Sequence, residues 1–213
     1  MGRRALRKLD PALDLSRHFR LSEELSPGVD LQSLFKQAAP LEVEVGSGKG
    51  LFITAASQAN PERNFLGIEI ARKYARYAAA RLAKQNSENA VIICGDGLAM
   101  FRESIPADSL AAVHVYFPDP WWKKRHKKRR VLNEEFLRDV QRTLAPGGRL
   151  HFWTDVEEYF QTTLALIGDT VTLRGPLSVA EKPAEHDLDY RTHFERRTRK
   201  NEAPVYRAEF EKL

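Results

Sequence analysis

The sequence is poor in the residues that staple a fold covalently or through metal. It has one cysteine, Cys94, in 213 residues, which excludes an internal disulfide and any cysteine-rich zinc site. Cys94 stands inside an apolar run, where a buried and inert thiol is expected. The six histidines show no ligand spacing, so no metal is assigned. No apolar run is long enough to cross a bilayer, and the basic N-terminal stretch lacks the apolar segment of a secretory leader. A soluble, cytoplasmic protein with no membrane partner is expected, as a monomer or weak homodimer. There is no internal repeat.

What is present is charge, unevenly placed. Hydrophobic residues make up 42% and charged residues 30%, the balance of a globular chain long enough for one sizeable core. The net charge is +5, of which residues 123–130 supply +7 and residues 1–20 supply +4, so the remainder carries −6. Basicity concentrated in this way is the footprint expected for a nucleic-acid partner.

Residues 1–40 read as a basic N-terminal extension, broken at Ser26-Pro27-Gly28 and closed by Pro40, with one short helix over Leu31–Gln37. Residues 41–213 read as one domain. Strands are predicted at 41–45, 64–70, 90–94, 110–117 and 149–154, alternating with helices at 51–58, 71–85, 133–144 and 156–168. Late strands at 171–174 and 205–210 follow, joined by no convincing helix. The alternation predicts a doubly wound, Rossmann-like α/β fold. Its mostly parallel seven-stranded sheet would end in a C-terminal antiparallel strand.

Sheets of this kind bind ligands beyond the carboxyl ends of their strands, and an acid falls at each of the first five ends: Glu44, Glu69, Asp96, Asp119 and Asp155. Any one of them alone reads equally as a turn carboxylate or helix cap; the series reads as a site. The turn Gly46-Ser47-Gly48-Lys49-Gly50 lets backbone approach a ligand closely. It is not the dinucleotide fingerprint, which needs glycine where Leu51 stands, and its spacing does not fit a phosphate-binding loop. A pyrophosphate would also meet Glu44. A cationic nucleoside suits the acidic rim better, with Glu44 near an amino group or sulfonium, Glu69 on ribose hydroxyls and Asp96 on an adenine amino group. S-adenosylmethionine has those parts.

The densest chemistry lies in Tyr116–Arg130, YFPDPWWKKRHKKRR. Pro118 and Pro120 stiffen the backbone on either side of Asp119. Trp121 and Trp122 then offer flat surfaces for a base, although Trp121 reads as well as a core residue. The cations Lys123, Lys124, Arg125, Lys127, Lys128, Arg129 and Arg130 suit a phosphate backbone, or a solvated loop.

LEVEVGSGKG, FLGIEI, the GDG at 95–97, FPDPWWKKRHKKRR, FWTD at 152–155 and THFE at 192–195 together resemble the bacterial single-subunit tRNA (guanine-N7-)-methyltransferases over roughly residues 40–213. The resemblance implies a class I methyltransferase that uses S-adenosylmethionine to methylate N7 of the variable-loop guanine in tRNA. It implies cofactor contacts at Glu44, Gly46, Gly48, Glu69, Asp96 and Asp119, with Asp119 also catalytic. Substrate contacts are implied at Lys123, Asp155, Thr192, His193, Phe194 and Glu195. Trp122 departs from the more polar residue expected there, and the N-terminal extension is short. Three other readings compete with this one. A non-catalytic RNA-binding relative would not need an acid at every strand end. A nicotinamide-dependent oxidoreductase is disfavoured by the glycine spacing. A methyltransferase of another RNA or of an exocyclic amine is disfavoured, in the amine case, by Trp121 where a second proline is expected.

Overall fold

The computed structural model describes residues 6, 8–25, 29–179, 190 and 192–213, without the side chains of Lys124, Lys127 and His193. Strands β2 (Leu41–Val45), β3 (Asn64–Glu69) and β4 (Ala90–Cys94) are buried at every residue, as parallel strands covered on both faces must be. They belong to an eight-stranded sheet with β1 (Phe19–Leu21), β5 (Leu110–Tyr116), β6 (Leu144–Thr154), β7 (Arg174–Leu177) and β8 (Tyr206–Glu211), in the spatial order β1-β4-β3-β2-β5-β6-β8-β7. Pairing is parallel from β1 to β6, whereas β8 runs antiparallel to both β6 and β7.

Helices cover both faces. On one lie α1 (Leu51–Ala59) and α2 (Arg72–Lys84), whose Phe52, Ile53, Ala75, Ala78, Ala79 and Leu82 pack against Phe65, Ala90 and Ile92. On the other lie α3 (Gly97–Glu103), α4 (Glu134–Thr143) and α5 (Glu157–Thr170), whose Phe101, Phe136, Val140 and Ile167 share a core with Val43, Leu66, Val113 and Leu150. Phe101 and Phe136 meet edge to face with centroids 5.0 Å apart; truncating such a buried ring costs about 3–5 kcal/mol. A short helix, α6 (His193–Lys200), precedes β8. No helix among the described residues is long and apolar enough to cross a membrane.

The doubly wound reading is correct, with five differences, one of them α6, which stands between β7 and β8 where no helix is expected. The sheet has eight strands and not seven, because Phe19–Leu21 of the N-terminal stretch pairs with Ile92–Cys94. Helix α3 follows the GDG turn because Asp96 caps it, accepting from Leu98 N at 2.9 Å. Pro146-Gly147-Gly148 lies within β6 and does not end a helix; α4 stops at Thr143 and the chain kinks at Gly147 (φ +77°). Strand β7 falls three residues later than expected, at Arg174–Leu177. As expected, Asn133 caps α4, accepting from Phe136 N at 3.0 Å.

Alternation in β2 divides its side chains. Leu41, Val43 and Val45 enter the core beneath α3–α5, and Glu42 and Glu44 point to the α1 side. Glu42 is taken up by structure. Its Oε2 lies 2.8 Å from His114 Nε2, and its Oε1 accepts from Arg63 at 2.6 Å. His114 stacks on His151 with centroids 4.5 Å apart, and His151 Nδ1 lies 3.0 Å from Glu209. A cavity of about 410 Å³ beside this row is lined by Glu42, Phe52, Arg63, His114, Arg149 and His151. Its lining includes Asn60 and Arg63 ahead of β3 and Ala112 near the start of β5, and no residue of the glycine turn.

Candidate active site

The sheet order rearranges the acids. In the chain they run Glu44, Glu69, Asp96, Asp119, Asp155; along the carboxyl edge of the sheet they follow strands β4-β3-β2-β5-β6 and read Asp96, Glu69, Glu44, Asp119, Asp155. Adjacent strands stand about 4.8 Å apart, so one acidic trough crosses five strands. The chain reverses its direction of winding at β2, so Glu44 occupies the switch point where such sheets open a crevice.

Glu44 is 3% exposed. The turn after it takes left-handed φ at Gly46 (+79°), Gly48 (+54°) and Gly50 (+69°). Gly46 N and Ser47 N both donate to Ile68 O, at 2.8 and 3.1 Å, which folds the turn back over β3. A Cβ built on Gly46 would meet nothing within 4 Å, and one on Gly48 only Gly46 O at 3.9 Å. The space above the turn is therefore open, and the bare backbone faces it. Gly50 is different: its Cβ would come within 2.7 Å of Ala78 Cβ, so this glycine lets α1 start against α2.

Glu69 is mostly buried, and both of its oxygens hold backbone. Oε2 accepts from Gly48 N and Oε1 from Ala71 N, each at 2.8 Å. Beside it Ile70 is 73% exposed. Sequence reasoning placed Ile70 inside the strand and missed it; the only signal was an apolar residue beyond the last acid of that strand. Asp96 is exposed and uses Oδ1 to cap α3. Cys94 is buried, and burial pushes its thiol pKa up, as an inert thiol requires.

Past β5 the backbone is held in an uncommon shape. Phe117 (φ +50°) and Trp121 (φ +45°) bracket Pro118-Asp119-Pro120, a conformation that costs non-glycine residues free energy and persists only when its surroundings enforce it. Here they do. Phe117 N donates to Trp153 O at 2.8 Å, Trp121 N to Asp119 Oδ1 at 3.1 Å, and Arg130 Nε to Pro120 O at 2.9 Å. The Arg130 guanidinium also lies over the Tyr159 ring at 4.4 Å. Burial raises the Tyr159 phenol to about 12, so it stays neutral. Asp119 itself is exposed.

The cationic run after Lys123 forms a short helical turn over Lys124–Arg129. Lys123, Arg125, Lys128 and Arg129 are exposed. Arg130, expected among the phosphate contacts, is instead half-buried and turned inward as described. The two tryptophans are not equivalent. Trp121 is half-buried, edge-on to His126 at 5.7 Å with Arg129 over its ring at 5.2 Å, whereas Trp122 is 64% exposed.

Helix α6 closes the far end. Thr192 caps it, accepting from Glu195 N at 3.0 Å. Phe194 stacks on Phe117 with centroids 6.2 Å apart and remains half exposed. Thr198 Oγ1 donates to Asp155 Oδ2 at 3.4 Å. Glu195 is 2% exposed, and its Oε1 lies 3.4 Å from both Arg199 and Arg207. The structure therefore ties Asp155 to α6 through Thr198 and sets Phe194 on Phe117, while Thr192 serves as the helix cap and Glu195 is buried.

A family model described as "Putative methyltransferase" matches residues 38–208. Among curated proteins, the tRNA (guanine-N(7)-)-methyltransferase of Rhodopirellula baltica is 52% identical over the whole of this chain and 80% of its own length. That of Sodalis glossinidius is 37% identical over 79% of this chain and 71% of its own. Among solved structures, the aminoglycoside resistance methyltransferase NpmB1 superposes with a TM-score of 0.55 at 18% identity, covering 84% of this chain and 88% of that one. A SAM dependent methyltransferase from Aquifex aeolicus gives 0.50 at 16% identity, over 63% and 72%. The last two share the fold. The two curated relatives share sequence over four-fifths or the whole of this chain, and on that ground the chain belongs to the family of tRNA (guanine-N(7)-)-methyltransferases.

Proposed function

We propose that this protein transfers a methyl group from S-adenosylmethionine to N7 of the variable-loop guanine of tRNA. The observation that carries this reading is the spatial order of the trough: Asp96, Glu69, Glu44 and Asp119 in line, with a basic turn beginning five residues beyond the last of them. The cofactor fits what is there. The open space above Gly46 and Gly48 admits a ligand against bare backbone. The Ser47 hydroxyl is buried without a hydrogen-bond partner among the described residues. A polyphosphate would be repelled by the same acids that suit a cation.

In this arrangement Asp96 and Glu69 would receive the adenosine end, with Ile70 as its apolar rest, and Glu44 the cationic end. Bound there, the cofactor supplies an electrophilic methyl on a positively charged sulfur. Guanine N7 attacks with a lone pair and carries no proton, so no general base is required. The N–C bond forms as the C–S bond breaks, its electron pair staying on sulfur, and the positive charge passes to the imidazole ring of the base. What the chain must do is orient the base in line and keep water out. Asp119, held by the Trp121 amide and the Pro-Asp-Pro backbone, would place a carboxylate against the charge that develops on the ring. Phe117, Phe194, Thr192 and Asp155 would form the wall on the target side. N7 is hidden in the deep major groove of A-form RNA, so the guanine must be displaced from its stack; Trp122 offers a surface for an unstacked neighbour. Lys123, Lys124, Arg125, Lys127, Lys128 and Arg129 would hold the backbone.

Transfer of label from methyl-tritiated S-adenosylmethionine to bulk tRNA tests the reading. Label in tRNA supports it; cofactor binding without any label in tRNA would leave a non-catalytic relative.

A further inference from the structure

Helix α2 carries five cations, Arg72, Lys73, Arg76, Arg81 and Lys84, and no acid in thirteen residues. Its buried residues are Ala75, Ala78, Ala79, Ala80 and Leu82, and Arg72, Lys73, Arg76 and Lys84 are exposed. The carboxylate on the same flank, Glu88, is occupied by Arg17 and Lys36. Among the described residues no ion pair reaches the exposed four; Lys73 Nζ instead lies 5.1 Å from the Tyr74 ring and Arg76 5.8 Å from the Phe19 ring.

Stability does not account for this composition. Arg72 and Arg76 are like charges one turn apart, which destabilises a helix. Arg72 and Lys73 sit in the first turn, where the helix dipole disfavours cations. The rest of the molecule outside the two basic stretches is net acidic, so carboxylates were available to pair with them. Location suggests why they stand alone. Arg72 follows Glu69 by three residues, so the first turns of α2 rise from the carboxyl edge of β3. The turn over Lys124–Arg129 rises from the end of β5, and β2 lies between those strands. The strands from which the two banks depart, β3 and β5, are two strand spacings apart, roughly 10 Å, with β2 and Glu44 between them.

We propose that Arg72, Lys73 and Arg76 form a second phosphate-binding bank, holding the tRNA backbone on the side of the target guanine opposite the Lys123–Arg129 turn. The proposal rests on tRNA being the substrate. Two banks with the Glu44 carboxylate between them would hold phosphates apart and leave a base free to enter. Tyr74 and Tyr77, interleaved with the cations, add surfaces on which a nucleoside can rest.

The test compares Lys73→Glu with Lys84→Glu in the full-length protein. Both change net charge equally, but Lys84 lies about 16 Å further along the helix, away from the trough. Binding to unmodified tRNA is measured across a salt series, and S-adenosylhomocysteine affinity by calorimetry serves as the control for an intact fold. Lys73→Glu is expected to weaken tRNA binding about tenfold and to flatten the dependence of log K on log salt by roughly 0.7–0.9, one phosphate contact. Lys84→Glu is expected to weaken binding less than twofold, and both variants to bind S-adenosylhomocysteine as the wild type does. Equal effects of the two variants, or an unchanged slope in Lys73→Glu, would overturn the second bank and leave the tRNA reading standing. Absence of salt-dependent tRNA binding by the wild type would overturn both.

Discussion

Glu69 and Gly48 are joined by a hydrogen bond of 2.8 Å from the glycine amide to Oε2, and the other oxygen of the same carboxylate holds Ala71 N at 2.8 Å. One side chain thus ties the glycine turn to the start of α2 before any ligand arrives. A carboxylate oxygen has two lone pairs, so each can still accept a ribose hydroxyl. Glu69→Gln keeps one acceptor and replaces the other with a donor facing an N–H. It should lower S-adenosylhomocysteine affinity at least tenfold, about 1.4 kcal/mol, and also lower the melting temperature of the ligand-free protein. Calorimetry and thermal unfolding on one sample check both.

Gly50 makes a separate, purely steric prediction. Its φ of +69° and the 2.7 Å approach of a built Cβ to Ala78 mean that Gly50→Ala must part α1 from α2. The cost should be about 1–3 kcal/mol, read from denaturant unfolding. The matching change at Gly46, where a Cβ meets nothing, should cost only the backbone term and should act mainly on cofactor affinity.

Glu42 sets an acid-dependent part of the stability. Burial alone would raise its carboxyl, but the hydrogen bond and charge of His114, with Arg63, overcome this and hold it at about 2, against 4.5 for the free group. A depressed carboxyl contributes fully above its unfolded pKa and loses that contribution as pH falls through its folded value. Stability should therefore drop between about pH 4.5 and pH 2, by an amount on the order of 2–4 kcal/mol for this group. In Glu42→Gln that fraction should vanish and unfolding should be flatter over this range. A profile identical to wild type would show that the pair contributes nothing.

These residues also show what was legible in the chain. In LEVEV the two glutamates look alike, and position at the strand end sufficed to put Glu44 at the carboxyl edge of the sheet. The role of Glu42 depended on His114, seventy-two residues on, and no local pattern carries such a pairing. Alternation of strands and helices declared the doubly wound sheet. It did not declare β1, three residues whose strand character comes from the free edge of β4 and not from their own composition. The run after Trp122 read as seven equivalent cations; the carbonyl of Pro120 and the ring of Tyr159 draw Arg130 inward, a tertiary effect.

Glu195 is predicted to act through position. Its carboxylate, with Arg199 and Arg207, lies almost wholly buried where α6 meets β8, and removing one member of such a cluster leaves uncompensated charge at a cost of about 3–5 kcal/mol. Glu195→Ala should speed amide exchange in His193–Lys200 and raise KM for tRNA, with S-adenosylhomocysteine affinity kept. Unchanged exchange with lost turnover would make Glu195 a direct substrate contact.

Asp119→Ala should abolish turnover on tRNA while leaving S-adenosylhomocysteine affinity within about tenfold, roughly 1.4 kcal/mol, because Glu44, Glu69 and Asp96 remain. Near-normal turnover would remove Asp119 from the reaction.

The central claim concerns which atom receives the methyl group. Borohydride reduction followed by aniline cleaves RNA at 7-methylguanosine, so tRNA treated with the enzyme and S-adenosylmethionine should be cut at one guanine in the variable loop. Methyl incorporation without cleavage there would place the group on another atom or nucleotide and contradict the account.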